Sequence, residues 1–427
     1  MPTSGVEHRK GERMVVVGQG YVGLPVAVRA VEAEFDVVGF DTDEARVASL
    51  RSGISFVEDV TDSVLRTTLA TGRYLPTTDV AHVDGFDCAL VTVPTPLREA
   101  VPDLTFVEDA ARLLGPRLRP GNTVVLESTT YPGTTEQLLA PLLGDLSGME
   151  PGVDFNLGYS PERIDPGNTR FAFTTTPKVV SGVTAKSAAA VEGIYARLVD
   201  RTVPVSSTAV AELTKLLENT FRHVNVALVN ELAMFAHDLD IDVWEAISAA
   251  STKPFGFMPF TPGPGVGGHC LPVDPSYLSW QVRRTLGQSF RFVELANDVN
   301  DHMPEYVVRR LSAGLNERSR SLRGSRVLAV GLAYKPRSSD TRGSPAVRVC
   351  ELLVASGADV RVVDPYVDES KAPAGVSVVT ASLAEVEAAH AIVILTDHDG
   401  VDYDAIARAD AYVLDTRNRL NHPGTAL

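Results

Sequence analysis

The sequence predicts an α/β protein with two Rossmann-like, doubly wound parallel-sheet domains joined by a central region of long helix. Short apolar runs alternate with helical segments at both ends of the chain, and the middle contains a long stretch without glycine or proline. Continuous apolar strands separated by helices indicate a parallel sheet covered on both faces. A chain of 427 residues is also too long for a single hydrophobic core.

Strands are predicted where apolar residues follow one another without a break. In the amino-terminal part these runs are residues 14–18, 36–41, 88–94, 123–129, 155–162 and 178–183. In the carboxyl-terminal part they are residues 326–333, 359–365, 391–398 and 412–416. The two parts share this predicted architecture without a sequence repeat.

The central part is predicted to be helical. Residues 207–238 contain neither glycine nor proline and form one long predicted helix. Five of its apolar residues fall along one stripe: Leu213, Leu217, Val224, Leu228 and Leu232. Further helices are expected around 274–286 and 290–313. The apolar stripe is a candidate surface for dimer formation.

Composition excludes several classes of protein. The formal net charge of −15 argues against a nucleic-acid-binding surface, whose signature is clustered basic charge. No stretch approaches the roughly 18 apolar residues of a membrane span, and residues 1–13 read as a flexible tail rather than a secretory signal. Three distant cysteines give neither a disulfide framework nor metal-site spacing. We therefore expect a cytoplasmic protein without a metal.

Residues 15–25, VVVGQGYVGLP, carry a dinucleotide-binding fingerprint directly after the first strand. Gly18 permits the tight turn, Gly20 lets a pyrophosphate approach the backbone, and Gly23 allows close packing of helix and strand. Tyr21 and Val22 lie between these glycines, where the helix N-terminus offers amide donors to the pyrophosphate. The pattern predicts an NAD-binding domain, and the plain alternative is a glycine-rich turn without a ligand.

Asp41 ends the second strand about 20 residues further on, where the residue that binds the adenine ribose belongs. Its carboxylate favours NAD over NADP because it repels a 2′-phosphate. Arg46 lies close by in the sequence and is the kind of residue that accommodates such a phosphate. The residues alone therefore favour NAD and leave NADP open.

The stretch TPGPGVGGHCLPVDP, residues 261–275, places a single thiol in a loop of glycines and prolines. A nearby cation or helix start could lower the pKa of Cys270 and make it nucleophilic. His269 beside it is a candidate base. From the loop alone, a reactive Cys270 and an inert loop cysteine are equally open. Cys88 and Cys350 lie in apolar segments and are expected to be small buried hydrophobes.

Two further features carry possible chemistry. Lys215 and Asn219 lie four residues apart on the long helix and share the face opposite the apolar stripe. The plain alternative for them is an ordinary solvated surface. Glu162 closes an apolar strand, and the carboxyl ends of parallel strands are where α/β folds bind ligands. Acidic loops without a function are common as well.

The sequence resembles the UDP-glucose/GDP-mannose 6-dehydrogenase family of nucleotide-sugar dehydrogenases. Seven stretches carry the resemblance in order along nearly the whole chain: VVVGQGYVGLP, VTVPTPL, LESTTYPGTTE, YSPERIDPGN, AELTKLLENTFR, PGPGVGGHCLPVDP and GLAYKPRSSDTRGSPA. After the tail (1–13), it implies an NAD-binding domain (14–206), a helical dimerisation region with the cysteine loop (207–318) and a nucleotide-sugar-binding domain (319–427). A homodimer through the central helix is therefore expected.

The same resemblance implies the site residues. Cys270 is the expected covalent nucleophile, and the reacting carbon is surrounded by Lys215, Asn219, Glu162 and Asp274. Thr129 is expected near the nicotinamide, with further cofactor contacts from Thr95, Pro96 and Arg342. Substrate contacts are expected from Glu162, Arg163, Lys215, Asn219, Lys253, Phe260, Gly265, Gly267, Gly268, Tyr334, Lys335 and Arg417.

The implied reaction oxidises the C6 alcohol of a nucleoside-diphosphate hexose to a carboxylate with two NAD, through a thiohemiacetal and a thioester on Cys270. Lys215 and Asn219 would stabilise the oxyanion, and either Glu162 or Asp274 would activate water for hydrolysis. His269 and Val273 in the cysteine loop make UDP-N-acetylhexosamines the first expectation, with UDP-glucose and dTDP-glucose as alternatives. A single-oxidation dehydrogenase would need neither this loop nor a second α/β domain, and a non-catalytic nucleotide-sugar sensor would not need all of these residues.

Overall fold

A computed structural model describes residues 11–57, 59–99, 101–164, 171–268, 271–422 and 425–427. The chain divides into two compact units, one ending at Glu218 and the other beginning at Asn219. Within the described ranges, no helix is both long and apolar enough to cross a membrane.

The first unit is built on a mainly parallel sheet. Its strands and one small antiparallel hairpin are β1 (Arg13–Val17), β2 (Asp36–Phe40), β3 (Tyr74–Thr77), β4 (Cys88–Val91), β5 (Leu97–Arg98), β6 (Val101–Pro102), β7 (Thr123–Leu126), β8 (Asn156–Tyr159), β9 (Lys178–Gly182) and β10 (Thr202–Pro204). The order across the sheet is β10-β9-β8-β7-β4-β1-β2-β3, and β5 pairs with β6. The pairing of β8 with β9 is antiparallel, so the amino end of β9 meets the carboxyl ends of the central strands.

Helices cover both faces of this sheet. They are α1 (Gly23–Glu32), α2 (Glu44–Arg51), α3 (Asp62–Ala70), α4 (Thr105–Leu114), α5 (Ala140–Ser147) and α6 (Ala185–Leu198). Residues of α1 and α6 pack into one apolar core, and residues of α4 and α5 pack into a second. Side chains cap the N-termini of several of these helices. Thr61 accepts a hydrogen bond from the Val64 amide at the start of α3, and Thr184 accepts one from the Ser187 amide at the start of α6.

A single long helix, α7 (Thr208–Asp238), runs from the first unit into the second. The second unit adds α8 (Val243–Ser251), α9 (Asp274–Leu286), α10 (Arg291–Glu317), β11 (Arg326–Val330), α11 (Pro345–Ala355), β12 (Asp359–Val363), β13 (Val376–Val378), α12 (Leu383–Ala388), β14 (Ala391–Ile394), α13 (Tyr403–Ala407) and β15 (Tyr412–Asp415). Its parallel sheet has the order β13-β12-β11-β14-β15, with an apolar core on each face.

The predicted fold class is confirmed, because both units are built on parallel sheets and α7 begins and ends close to the predicted positions. Each predicted strand corresponds to an observed one, although most observed strands end a few residues earlier. The prediction missed β3, β10 and β13, which lie at sheet edges, and the small hairpin of β5 and β6. β3 contains Pro76, and proline is tolerated at an edge because it has no N–H to donate.

In α7 the apolar face is largely exposed and the polar face is buried, which is the reverse of an ordinary surface helix. Four residues of the predicted stripe are exposed: Leu213, Leu217, Leu228 and Leu232, with Leu217 at 63%. Val224 is the exception and packs against Ala227, Ala296 and Val299. The polar face is buried, with Lys215 only 8% and Asn219 only 4% exposed. The alternative of a solvated polar face is therefore wrong.

Candidate active site

The glycine fingerprint forms a tight turn at the carboxyl end of β1. Gly18 has a φ of +91°, and a Cβ there would lie 2.7 Å from the Thr92 carbonyl oxygen. A Cβ on Gly23 would overlap the Gly18 oxygen at 1.9 Å, whereas a Cβ on Gly20 would meet no atom within 4 Å. The turn therefore leaves open space above Gly20, next to the start of α1, where a pyrophosphate fits.

Asp41 lies beside this turn and is buried. Its Oδ2 accepts hydrogen bonds from the Gln19 amide at 2.8 Å and from Arg46 Nη1 at 2.9 Å. Arg46 also lies 5.4 Å from the centroid of the Phe56 ring, which packs edge-on against Tyr21. Because Arg46 is paired with Asp41, its guanidinium is not a free partner for a 2′-phosphate. This arrangement fits NAD.

The loops after β4 and β7 are joined to each other and to the fingerprint. Thr92 Oγ1 donates to the Gly18 carbonyl oxygen at 2.9 Å. Ser128 Oγ donates to the Val93 carbonyl oxygen at 2.7 Å. The predicted cofactor residues Thr95, Pro96 and Thr129 follow these contacts in the chain. They therefore lie along the same carboxyl edge of the sheet as the fingerprint.

Glu162 lies just beyond β8 at this edge and is 8% exposed. Its Oε1 accepts hydrogen bonds from the Arg163 amide at 2.6 Å and from the Ile164 amide at 2.5 Å. Arg163 is paired with Glu218 of α7 at 2.7 Å and also donates to the Pro177 carbonyl oxygen. Backbone hydrogen bonds therefore hold the Glu162 carboxylate against the loop that follows it.

A buried ionic cluster that sequence reasoning missed adjoins Glu162. Lys178 Nζ lies 3.0 Å from Glu127 Oε2 and 3.3 Å from Glu162 Oε2. Burial lowers the pKa of Lys178, but the two carboxylates outweigh it and raise that pKa above its ordinary value. Burial raises the pKa of Glu127, against the opposing effect of Lys178. A glutamate at the end of a buried strand, as in VVLEST, was the available signal.

On α7 the first unit has a further buried acid, Glu212. It accepts hydrogen bonds from the Gly133 amide at 2.6 Å, the Thr135 amide at 2.8 Å and Thr135 Oγ1 at 2.7 Å. Burial raises the pKa of Glu212 to about 7. Lys215 follows one turn later, so Glu212 ties the part of α7 that contains Lys215 to the segment after Thr129.

In the second unit, Asn219 Nδ2 donates to Asp274 Oδ2 at 2.5 Å. Asp274 is the first residue of α9 and is 4% exposed. A helix N-terminus stabilises a negative charge, so the position suits a carboxylate. The structure thus brings together two of the predicted catalytic side chains within this unit.

The glycine loop packs closely against the segment that contains Tyr334. Gly268 has a φ of +87°, and a Cβ there would lie 2.9 Å from Tyr334 Cε2. A Cβ on Gly267 would lie 2.8 Å from Tyr334 Cβ, and one on Gly263 would lie 2.8 Å from Arg417 Nη1. Lys335 Nζ is 5.6 Å from the Tyr334 ring centroid. Four predicted substrate-binding residues, Gly267, Gly268, Tyr334 and Lys335, therefore lie together, and the same loop reaches Arg417.

Asn230 on α7 is hydrogen-bonded to this loop, and sequence reasoning missed it. Its Oδ1 accepts a hydrogen bond from the Gly263 amide at 2.9 Å, and its Nδ2 donates to Asn300 Oδ1 at 2.9 Å. Asn230 and Asn300 are buried. Gly265 lies next to Asn300, because a Cβ on Gly265 would be 3.0 Å from the Asn300 carbonyl oxygen. Buried asparagines within a helical apolar pattern were the available signal.

Other predicted residues are less closely grouped. Phe260 packs edge-on against Phe221 at 5.8 Å, whereas Lys253 is exposed and lies 4.9 Å from the Phe255 ring centroid. Arg342 is exposed and paired with Asp340 at 2.7 Å.

The predicted nucleophile Cys270 and its neighbour His269 lie outside the described residues. Cys88 and Cys350 are buried as predicted, and burial raises the pKa of both thiols, that of Cys350 to about 12. Both are therefore poor nucleophiles near neutral pH. Among the described residues, no group of three or more His, Cys, Asp or Glu side chains could hold a metal ion.

Comparison with known families identifies the chain. The NAD binding domain of the UDP-glucose/GDP-mannose dehydrogenase family matches residues 12–199, the family's central domain matches 209–302, and its UDP binding domain matches 328–422. The chain belongs to this family. It is an NAD-dependent nucleotide-sugar dehydrogenase, and the predicted family, cofactor and enzyme class are confirmed.

Known relatives of this dehydrogenase match almost its full length. It is 35% identical over 418 residues to the UDP-N-acetyl-D-mannosamine dehydrogenase of Pyrococcus horikoshii, covering 96% of each chain. It is 38% identical over 365 residues to the UDP-N-acetyl-D-glucosamine 6-dehydrogenase of Pseudomonas aeruginosa, covering 85% of each. A solved structure of UDP-D-ManNAc dehydrogenase from Pyrococcus horikoshii matches with a TM-score of 0.86 at 36% identity, covering 95% of each chain.

Proposed function

We propose that this dehydrogenase oxidises the C6 primary alcohol of a UDP-N-acetylhexosamine to the carboxylate in two NAD-dependent steps. The observation that carries the proposal is the glycine loop 261–268, which lies against Tyr334 and next to Arg417, two residues within the stretch matched by the UDP binding domain. This loop leads directly to Cys270. The two relatives described above act, by name, on UDP-N-acetylmannosamine and UDP-N-acetylglucosamine, which supports that sugar class.

The chemistry requires a nucleophile between the two oxidations. NAD accepts one hydride in each of them. The first oxidation removes a hydride from C6 and the hydroxyl proton, leaving an aldehyde. The thiolate of Cys270 then adds to the aldehyde carbon, and the resulting oxyanion takes up a proton to give a thiohemiacetal. Loss of that hydroxyl proton together with the second hydride gives a thioester. Water attacks the thioester carbon, the C–S bond breaks, and the acid and the thiolate are released.

Lys215 and Asn219 are proposed to stabilise the oxyanion at each stage. Both are buried and lie one helical turn apart on α7. A fixed cation in a site shielded from water can contribute several kcal/mol to the stabilisation of a developing charge. Their burial supports this role, because a buried lysine needs a compensating negative partner.

Two carboxylates are candidates for the base that activates water in thioester hydrolysis. Glu162 is held by backbone amides and Lys178 in the first unit, and Asp274 is held by Asn219 in the second. We propose that one of these two carboxylates accepts a proton from the attacking water. Its hydrogen-bond donors, Lys178 for Glu162 or Asn219 for Asp274, keep it oriented.

Replacement of the nucleophile tests the covalent scheme. Cys270→Ser is expected to abolish formation of the uronic acid, because a serine hydroxyl is not ionised near neutral pH. Cys350→Ala, which changes a buried cysteine of the second unit, is the matched control and should retain acid formation. The product is identified by mass spectrometry with each sugar of a panel of UDP-N-acetylhexosamines, UDP-glucose and dTDP-glucose. Unchanged acid output from Cys270→Ser would sink the scheme.

We also propose that the chain forms a cytoplasmic homodimer through α7 and has the three-part division at residues 14–206, 207–318 and 319–427. Exposed leucines on one face of α7 support the dimer, since a contiguous apolar surface on a folded protein marks an interaction site. Leu217→Glu should lower the mass measured by light scattering to that of a monomer. Leu383→Glu changes a similarly exposed leucine on α12 and should leave the mass unchanged; an unchanged mass for Leu217→Glu would contradict the dimer.

A further inference from the structure

A buried lysine joins two carboxylates at the carboxyl edge of the first unit's sheet. Lys178 begins β9, and its side chain is only 4% exposed. Its Nζ lies 3.0 Å from Glu127 Oε2, just after β7, and 3.3 Å from Glu162 Oε2, just after β8. The lysine therefore reaches across two strand ends from a strand that runs in the opposite direction.

The other charged and titratable groups of this cluster are paired as well. Tyr195 of α6 donates a short hydrogen bond to Glu127 Oε1. Burial raises the pKa of Tyr195 well above its ordinary value, so the phenol remains a neutral donor. Arg163, which follows Glu162, is paired with Glu218 of α7. Glu127 and Tyr195 thus form a fixed support for Lys178.

This arrangement leaves Glu162 held at both oxygens. Backbone amides of Arg163 and Ile164 donate to Oε1, and Lys178 donates to Oε2. A carboxylate that must accept a proton from water needs a defined orientation, and buried charged hydrogen bonds supply it more firmly than a solvated side chain could. Nothing in the proposed chemistry requires Lys178 to touch the sugar or the cofactor.

We propose that Lys178, supported by Glu127 and Tyr195, is a positioning residue that orients the Glu162 carboxylate for hydrolysis of the thioester. This inference rests on the proposed function and on Glu162 as the hydrolytic base. Lys178 acts through Glu162, so its loss slows hydrolysis while both hydride transfers continue. A thioester-bearing enzyme then accumulates.

The test follows NADH formation after rapid mixing of enzyme, NAD and the UDP-sugar that the wild type oxidises. Lys178→Met should show a burst of two NADH per active site, followed by a steady rate at least about tenfold below that of the wild type. Intact-protein mass spectrometry after an acid quench should show the acylated enzyme. Lys178→Arg keeps the charge and should recover part of the steady rate. Lys186→Met, at an exposed lysine of α6, is the matched control and should behave like the wild type.

Removing one buried charge can prevent folding, so a compensated variant is included. Lys178→Met/Glu127→Gln removes the ammonium together with one carboxylate and should show the same burst and slow phase. A purely structural effect would lower the burst amplitude together with the steady rate and would overturn the proposal. In a Glu162→Gln background, Lys178→Met should produce little further slowing, because both changes affect the same step. Additive slowing would also overturn it.

Failure of the proposed function looks different. If the wild type formed two NADH per sugar and folded Lys178→Met did the same at an unchanged steady rate, the positioning role would be wrong and the dehydrogenase mechanism would stand. If the wild type formed only one NADH per sugar, no thioester would exist, and both proposals would be overturned.

Discussion

The Asn219 side chain donates its amide hydrogen to Asp274 across 2.5 Å and thereby links α7 to the first residue of α9. Both side chains are buried. The amide and the helix N-terminus both favour a negative charge on Asp274. This hydrogen bond therefore fixes the position of Asn219 on the long helix relative to Asp274, which follows the cysteine loop in the sequence.

Asn219→Ala should lower kcat by about 10- to 100-fold, since a hydrogen bond to a charged group contributes roughly 1.5–3 kcal/mol. Asn225→Ala is the matched control, because Asn225 on the same helix donates to the Phe221 carbonyl oxygen instead. Initial rates of NADH formation at saturating sugar measure the effect. Equal rates for both variants would remove Asn219 from the proposed mechanism.

Asp41→Ala should raise the KM for NAD by about tenfold or more, because the carboxylate that receives the ribose hydroxyls is lost. It should also improve the use of NADP, since Arg46 would lose its partner at 2.9 Å. Asp43→Ser removes the weaker contact of Arg46 at 3.6 Å while keeping a side chain that can cap α2. That control should retain the preference for NAD, and an Asp41→Ala enzyme with unchanged preference would contradict the role of Asp41.

Glu212 predicts a pH dependence of stability. Burial raises its pKa in the folded protein to about 7 from an ordinary value of 4.5, so the folded state binds a proton more tightly than the unfolded state in that interval. The contribution of Glu212 to the free energy of unfolding should therefore fall as the pH rises from 4.5 to 7, by up to about 3 kcal/mol, and level off above. Urea unfolding at several pH values measures it.

Glu212→Gln should remove that part of the pH dependence, whereas Asp238→Asn, an exposed change on the same helix, should retain it. The same slope in wild type and Glu212→Gln between pH 4.5 and 7 would show that Glu212 does not titrate there. The side-chain amide introduced by Glu212→Gln would also place its N–H against one of the groups that now donate a hydrogen bond to Glu212. A lower overall stability is therefore expected for this variant.

Gly268→Ala should impair sugar binding more than its backbone strain explains. Gly268 and Gly287 both have positive φ, but a Cβ on Gly268 would lie 2.9 Å from the Tyr334 ring and one on Gly287 would meet no atom within 4 Å. Both substitutions cost about 1 kcal/mol in the backbone. Only Gly268→Ala should raise the KM for the nucleotide sugar markedly, and equal KM values for the two variants would contradict the close packing of the loop on Tyr334.

Most of the fold could be predicted because the central strands are continuous apolar runs and α7 lacks helix breakers. The edge strands β3, β10 and β13 were missed because an edge strand is short and tolerates polar residues and prolines such as Pro76. The burial of the polar face of α7 could not be predicted from its periodicity. A leucine stripe normally marks the buried face of a helix, yet here Leu217 is exposed and Asn219 is buried.

The site could be predicted only in part. Glycine spacing predicts dinucleotide binding directly and Asp41 favours NAD over NADP, whereas the roles of Lys215 and Asn219 depended on family resemblance. The cluster around Lys178 was missed because it joins Glu127, Glu162 and Tyr195 from separate elements. Such long-range pairing leaves little trace in the local sequence, since each residue by itself looks like an ordinary strand-end or helix residue.

The most direct test of the central claim counts NADH formed per sugar consumed, with purified protein, NAD and the same panel of nucleotide sugars. Oxidation of an alcohol to an acid removes four electrons, so two NADH per sugar and a uronic acid product are predicted, with a UDP-N-acetylhexosamine as the preferred substrate. One NADH per sugar with an aldehyde or ketone product would contradict the four-electron reaction and the role of Cys270.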